Sequence, residues 1–204
     1  MEKEQLVSEK QVLGLQLPTD PRWVNIAEIS IEEILADHAW CEQKAANTCI
    51  SLIVKFSEKE ELVQQVAPIV AEEWGHFRKV LKELTKRGYK LGKARPDEYV
   101  KKLLHFENRQ LQKDERVVEK LLISALIEAR SCERFRLLSL HMKDEYFKNF
   151  YHEFMVSEAG HYKLFLSLAK LYMPEDYVNK RWKEYLEAEV EILKSIELRG
   201  DRIH

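Results

Sequence analysis

The sequence predicts an all-α protein: a four-helix bundle with a short crossover helix and an extra C-terminal helix. Three observations predict it. The 204 residues include only 6 Gly and 5 Pro, too few turn formers for a many-stranded β fold. Between those breaks, apolar residues recur at three- and four-residue intervals. Hydrophobic residues make up 45% and charged residues 33%, the balance of a chain with one buried core and a solvated surface.

Residues 1–27 read as an N-terminal arm, with Pro18 and Pro21 bracketing a turn at Thr19-Asp20 and Trp23 anchoring it. Residues 28–204 read as a single helical domain. The first helix runs from Ser30 to about Phe56, with Ile31, Leu35, Ala45, Cys49, Leu52 and Phe56 at helical spacing. Ser57-Glu58-Lys59-Glu60 has the form of a capping box and predicts the start of a second helix, which runs to Arg87 and stops at Gly88. Pro68 is expected to kink or split that helix. A basic loop over 88–96 precedes a short helix from Asp97 to about Lys113, the crossover. Two long helices follow, about Glu115–His141 and Asp144–Tyr172, and Pro174 opens a last helix to about Leu198.

No apolar run is long enough to span a bilayer. The N-terminus lacks the basic and apolar regions of a secretory signal. Cys41, Cys49 and Cys132 are odd in number and far from Cys-x-x-Cys spacing, which excludes a disulfide framework or zinc finger and suits a reducing cytoplasm.

The informative residues are carboxylates inside apolar stripes. Glu42 shares a face with Ile31, Leu35, His38, Ala45, Cys49 and Leu52. Glu73 and His76 share one with Val66, Ile69, Val80 and Leu84. Glu128 falls among Leu121, Ala125, Cys132 and Phe135; Glu158 and His161 fall among Tyr151, Phe154, Tyr162 and Phe165. An isolated buried carboxylate costs several kcal/mol, and four without a cation repel one another. Two divalent metal ions balance Glu42, Glu73, Glu128 and Glu158, and His76 and His161 complete a sulfur-free ligand set that suits iron or manganese. The spacing repeats: Glu42 to Glu73 is 31 residues and Glu128 to Glu158 is 30, with a Glu-x-x-His at each second position. That repeat is the pattern of the ferritin-like di-iron carboxylate bundles. Glu133 competes with Glu128 but breaks the spacing; Glu72 falls on a polar side. His38, one turn before Glu42, is a candidate to orient it, with a satisfied core histidine as the alternative. His105, His141 and His152 read as surface residues. A metal centre of this kind splits O2, and Trp40, Ala45, Cys49, Phe77, Cys132, Phe135, Phe154 and Tyr162 are candidates to line an apolar cavity beside it.

Charge is uneven. Residues 1–77 carry 6 Lys/Arg against 14 Asp/Glu, whereas 78–102 carry 10 against 3. Such a basic segment is either a phosphate-binding patch or a solvated helix end and loop.

The segments Asp37-His38-Ala39-Trp40-Cys41-Glu42-Gln43-Lys44-Ala45-Ala46, Ala125-Leu126-Ile127-Glu128-Ala129-Arg130-Ser131-Cys132-Glu133-Arg134-Phe135 and Ser157-Glu158-Ala159-Gly160-His161-Tyr162 resemble the tRNA 2-methylthio-N6-isopentenyladenosine hydroxylase family, from about Leu13 to Tyr172. The resemblance implies a ferritin-like, non-haem di-iron monooxygenase. It would hydroxylate the isopentenyl group of a hypermodified adenosine beside the tRNA anticodon, with O2 and two electrons from a separate reductase. It implies metal ligation by Glu42, Glu73, His76, Glu128, Glu158 and His161. Gly75 and Gly160 depart from the family, in which Arg often precedes each ligand His. On this reading the anticodon stem-loop falls to Lys86, Arg87, Tyr89, Lys90, Lys93 and Arg95, with Tyr89 stacking on a base. Arg130, with Arg134, is a candidate to contact the metal ligands from behind or a phosphate, with plain surface charge as the alternative. The rival readings are a ferritin-like or rubrerythrin-like iron oxidase or peroxidase, and a metal-free helical RNA-binding scaffold.

Overall fold

The computed structural model describes residues 13–108 and 110–204, so residues 1–12 of the expected arm lie outside it. The described residues form seven α-helices and no strand: α1 (Arg22–Ile29), α2 (Ile31–Lys55), α3 (Glu60–Lys86), α4 (Glu98–Phe106), α5 (Lys113–His141), α6 (Glu145–Tyr172) and α7 (Glu175–Lys194). No helix among them is long and apolar enough to cross a membrane. They divide into two compact units. One holds Arg22–Pro96 and Arg199–Ile203; the other holds Asp97–Leu198, His204 and the described residues up to Pro21.

In the first unit α2 and α3 pack along each other and α1 packs on α2. The α1 helix begins inside residues 1–27, the span expected to be an arm, and ends just beyond it. Its Trp23 is fully buried and donates its indole N–H to the Arg199 carbonyl at 2.8 Å. The helix start expected at Ser57 is displaced. Residues 56–58 form a turn in which the Lys59 N–H bonds the Phe56 carbonyl at 2.9 Å, and α3 begins at Glu60 without a side-chain cap. Pro68 does not split α3: it sits exposed inside one continuous helix, where water can take the carbonyl its missing N–H leaves unbonded.

In the second unit α5 packs along α6, and α7 packs on α4, α5 and α6. Asp97 caps α4, its carboxylate accepting from the Val100 N–H at 3.0 Å. The helix stops at Phe106, short of the expected Lys113. The Asn108 N–H is taken by the Glu119 carboxylate at 3.1 Å and the Gln110 N–H by the Asn108 side chain at 3.1 Å, so side chains displace the helix ladder. Pro174 is the residue before α7 rather than its first. Phe135, Tyr151, Phe150 and Phe154 form an aromatic core with ring centroids 5.0–5.8 Å apart.

Gly160 is exposed in mid-α6, and a Cβ built there meets nothing within 4 Å. Glycine in a helix interior costs about 0.5–1 kcal/mol relative to alanine. Gly160→Ala is therefore expected to raise Tm by about 1–4 °C, read by thermal unfolding. An unchanged or lower Tm would show that the position is constrained.

Candidate metal centre

Each unit brings one Glu…Glu-x-x-His set together by the same local geometry. A glutamate in the middle of one long helix faces a Glu-x-x-His on its packing partner, and the three-residue spacing puts that Glu and His about one turn apart on one face. In the first unit the ligating atoms of Glu42, Glu73 and His76 lie within 4.8 Å of one another. Glu42 and Glu73 are buried, while the His76 side chain is 19% exposed. His76 Nδ1 is 3.4 Å from one Glu42 oxygen and 3.6 Å from Glu73. The other Glu42 oxygen lies 2.6 Å from Nε2 of His38, which is fully buried and so fixes the orientation of that carboxylate. In the second unit the ligating atoms of Glu128, Glu158 and His161 also lie within 4.8 Å of one another, all three buried.

Burial first, and then the Glu73 charge, push the Glu42 carboxyl well above the usual carboxylate range. Burial alone would lower the His76 pKa, yet Glu42 and Glu73 hold it up to about 10. A proton is thus retained where a larger positive charge fits. The donor sets, two carboxylates and one imidazole in each unit, are oxygen-rich and suit iron or manganese. Cys132 adds no thiolate: burial, with the nearby Glu128 and Glu133, pushes its thiol up to about 12.

Glu133 is committed elsewhere. Its carboxylate accepts from the Thr19 N–H at 2.7 Å and hydroxyl at 2.6 Å, and from Arg130 at 2.8 Å. Arg130 corrects the expectation from sequence: it is neither a surface charge nor a phosphate contact but 0% exposed. It donates to Glu133, to Glu189 at 2.9 Å, to the Leu17 carbonyl at 2.9 Å and to the Thr19 hydroxyl at 3.2 Å. Arg134 is buried beside it, also away from phosphate reach. Sequence reasoning missed this network because Thr19 and Glu189 are far away in the chain.

His105, His141 and His152 are exposed. Of the cavity candidates, Cys49 is buried and Trp40, Ala45 and Phe77 are half-buried in the first unit; Cys132, Phe135, Phe154 and Tyr162 are buried in the second. In the basic loop Arg87 bonds the Glu83 carboxylate at 2.5 Å. Arg95 bonds the Glu33 carboxylate, Asp201 at 3.2 Å, and the carbonyls of both residues. These two arginines therefore tie the loop to its own unit. Tyr89 is half-buried, and Lys86, Lys90 and Lys93 are exposed.

The family model described as tRNA-(MS2IO6A)-hydroxylase, MiaE, matches residues 5–204. The chain belongs to this tRNA hydroxylase family. It is 35% identical over 181 residues to the tRNA 2-(methylsulfanyl)-N(6)-isopentenyladenosine(37) hydroxylase of Pseudomonas putida, covering 89% of this chain and 87% of that protein. It is 26% identical over 230 aligned positions to the Salmonella typhimurium protein of the same name, covering 89% and 84%. A solved structure from Synechococcus, protein 43 with aldehyde deformylating oxygenase activity, superposes with a TM-score of 0.87 at 31% identity over 93% of this chain and 94% of that one. The all-α, ferritin-like fold class expected from the sequence stands on that match and on the seven helices.

Proposed function

We propose that this member of the tRNA hydroxylase family is a monooxygenase that hydroxylates the isopentenyl group of 2-methylthio-N6-isopentenyladenosine beside the anticodon. The observation that carries the reading is the duplicated donor set: two helical pairs, each gathering two glutamates and a histidine, in a chain matched by that family over residues 5–204. On this reading residues 28–204 work as one domain behind an arm at 1–27. Glu42, Glu73, His76, Glu128, Glu158 and His161 together hold two iron ions, with manganese as the alternative occupant. When bound, the metal pair supplies the activation of O2, with two electrons from a separate reductase. The protein works in the cytoplasm, where it meets tRNA.

The chain's own residues do the rest. His38 holds Glu42 in one orientation, so that one carboxylate oxygen stays turned toward His76. The paired helices present the donors from rigid elements rather than loops. The packed rings of Phe135, Tyr151 and Phe154 keep water from the second donor set, a condition for oxidising a C–H bond rather than wasting reductant.

Mass spectrometry of tRNA nucleosides from cells with and without the gene tests this. The hydroxylated prenyl-adenosine is expected to disappear on deletion and to return with the intact gene but not with Glu158→Ala. An unchanged nucleoside profile would refute the substrate. The Synechococcus neighbour, 31% identical over nearly the whole fold, favours a second reading, deformylation of an aldehyde. Formate release from such an aldehyde by the purified protein, without action on tRNA, would establish it. Turnover of ferrous iron or peroxide alone would instead mark an oxidase.

A further inference from the structure

We propose that the exposed face of α3 bearing Trp74, Arg78, Lys82 and Lys86 receives a single-stranded segment of the RNA. Trp74 is its stacking platform and the three cations are a rail for successive phosphates. The proposal rests on the reading of the substrate as RNA, and adds where the strand lies.

The four residues recur at intervals of four, so they form one stripe along the helix, with steps of about 6 Å. Those steps are comparable with the spacing of phosphates along an RNA strand. Arg78, Leu81, Lys82, Thr85 and Lys86 line one open groove of about 470 Å³. Three of those five lining residues are cations. Glu83, next to Lys82 in the chain, is buried and bonds Arg87. The stripe ends on Trp74, a 47% exposed indole backed by Phe77 with ring centroids 4.9 Å apart. Beside it Gly75 is exposed, and a Cβ there meets nothing within 4 Å. Among the described residues nothing requires a glycine at that place, and its bare surface leaves a base room to lie flat against the indole. A lone exposed tryptophan needs no explanation. One in register with three cations along a groove has the two components by which proteins hold unpaired strands: a π face for any base and charge for the backbone.

The test is binding of a synthetic anticodon stem-loop RNA to the whole protein, followed by anisotropy and tryptophan fluorescence across 50–200 mM salt. Trp74→Ala is expected to weaken binding about tenfold and leave the salt dependence unchanged, since stacking carries no counterions. Trp74→Phe is expected to abolish the RNA-induced quenching while keeping most of the affinity. The triple variant Arg78→Ala, Lys82→Ala, Lys86→Ala is expected to lower the slope of log K against log salt by about 2, the share of three phosphates on a single strand. Unfolding curves matched to the parent certify the variants. If the parent binds and hydroxylates RNA while these variants keep its affinity and slope, the surface is wrong and the substrate stands. The surface is equally wrong if Lys90→Ala with Lys93→Ala takes the slope instead, or if the α3 variants lose only reduction by the electron donor. If the parent binds no RNA, both readings fall.

Discussion

Replacing Glu73 by glutamine is expected to abolish hydroxylation, by at least about 100-fold, while the metal-free protein melts no lower than its parent. If Glu73 ligates metal as proposed, the loss follows, since even a residue that only supports a ligand is worth about 10–100-fold. The retained stability follows from two opposing effects in the first unit. Burial and the Glu73 charge together keep the Glu42 carboxyl well above its usual range, and the relief of that repulsion offsets the loss of one of the two carboxylates that face the protonated His76. Iron reverses the balance. At about 1,000 times its Kd it stabilises the parent by about 4 kcal/mol, or about 8–16 °C in Tm for a chain of this length, and the variant responds far less. The sign of the pH dependence is fixed as well. His76 keeps its proton up to about 10 under the pull of Glu42 and Glu73, but it binds metal only as the neutral imidazole. Uptake therefore displaces a proton, and affinity rises with pH by about tenfold per unit for each proton released. Elemental analysis, melting curves with and without chelator, and iron titrations at pH 6 and 8 check all three. A metal-free parent that is as stable as the iron-loaded one would overturn the assignment.

The gathering of two glutamates and a histidine in each helical pair was legible in the sequence because a carboxylate and an imidazole three residues apart inside an apolar stripe must share one buried face, and the chain repeats that pattern. The long helices were legible for the same reason, their period being intrinsic to the chain. Their ends were not. Ser57 looked like a cap, yet the preceding helix closes with a turn that uses up those residues. The short α4 ends early because Glu119 and Asn108 side chains capture backbone N–H groups, which no periodicity reports. The hardest stretch was Glu128 to Arg134. In α5, nineteen of 29 residues are buried, so the helix has no wet face against which an inward carboxylate stands out. Facial reasoning could rank Glu128 above Glu133, but it had no means of supplying the partners of Arg130, which lie on the N-terminal segment and on α7. The basic loop was misleading in a related way: its charges were visible, and the carboxylates of Glu33, Glu83 and Asp201 that two of them hold were not.

Arg130→Met is expected to destabilise the protein by about 3–5 kcal/mol, the cost of leaving buried charge uncompensated, and so to lower Tm by about 6–20 °C. In the folded chain Arg130 and Arg134 stand against Glu133 and Glu189, two charges of each sign, all buried. The balance is tight. Burial raises the Glu189 carboxyl even with Arg130 beside it, and burial followed by the charge of Arg130 lowers Arg134 to about 10. Methionine keeps the apolar stem of the arginine but not its guanidinium head, so the loss is of charge and hydrogen bonding with a small cavity where the head lay. It leaves Glu189 bonded to the Tyr99 hydroxyl at 3.0 Å, and it releases the Leu17 carbonyl. Removing the stranded charge as well, by Glu189→Gln in the same chain, is expected to recover about half of the loss, because a neutral amide still bonds Tyr99. The coupling also predicts where the fold opens first. Leu17 and Thr19 are held by Arg130 and Glu133, so limited proteolysis of Arg130→Met should cut near residues 17–19 under conditions in which the parent is intact. Additive losses in the double variant would mean that Arg130 and Glu189 act independently, and would remove the network as the device that fastens the N-terminal segment to α5.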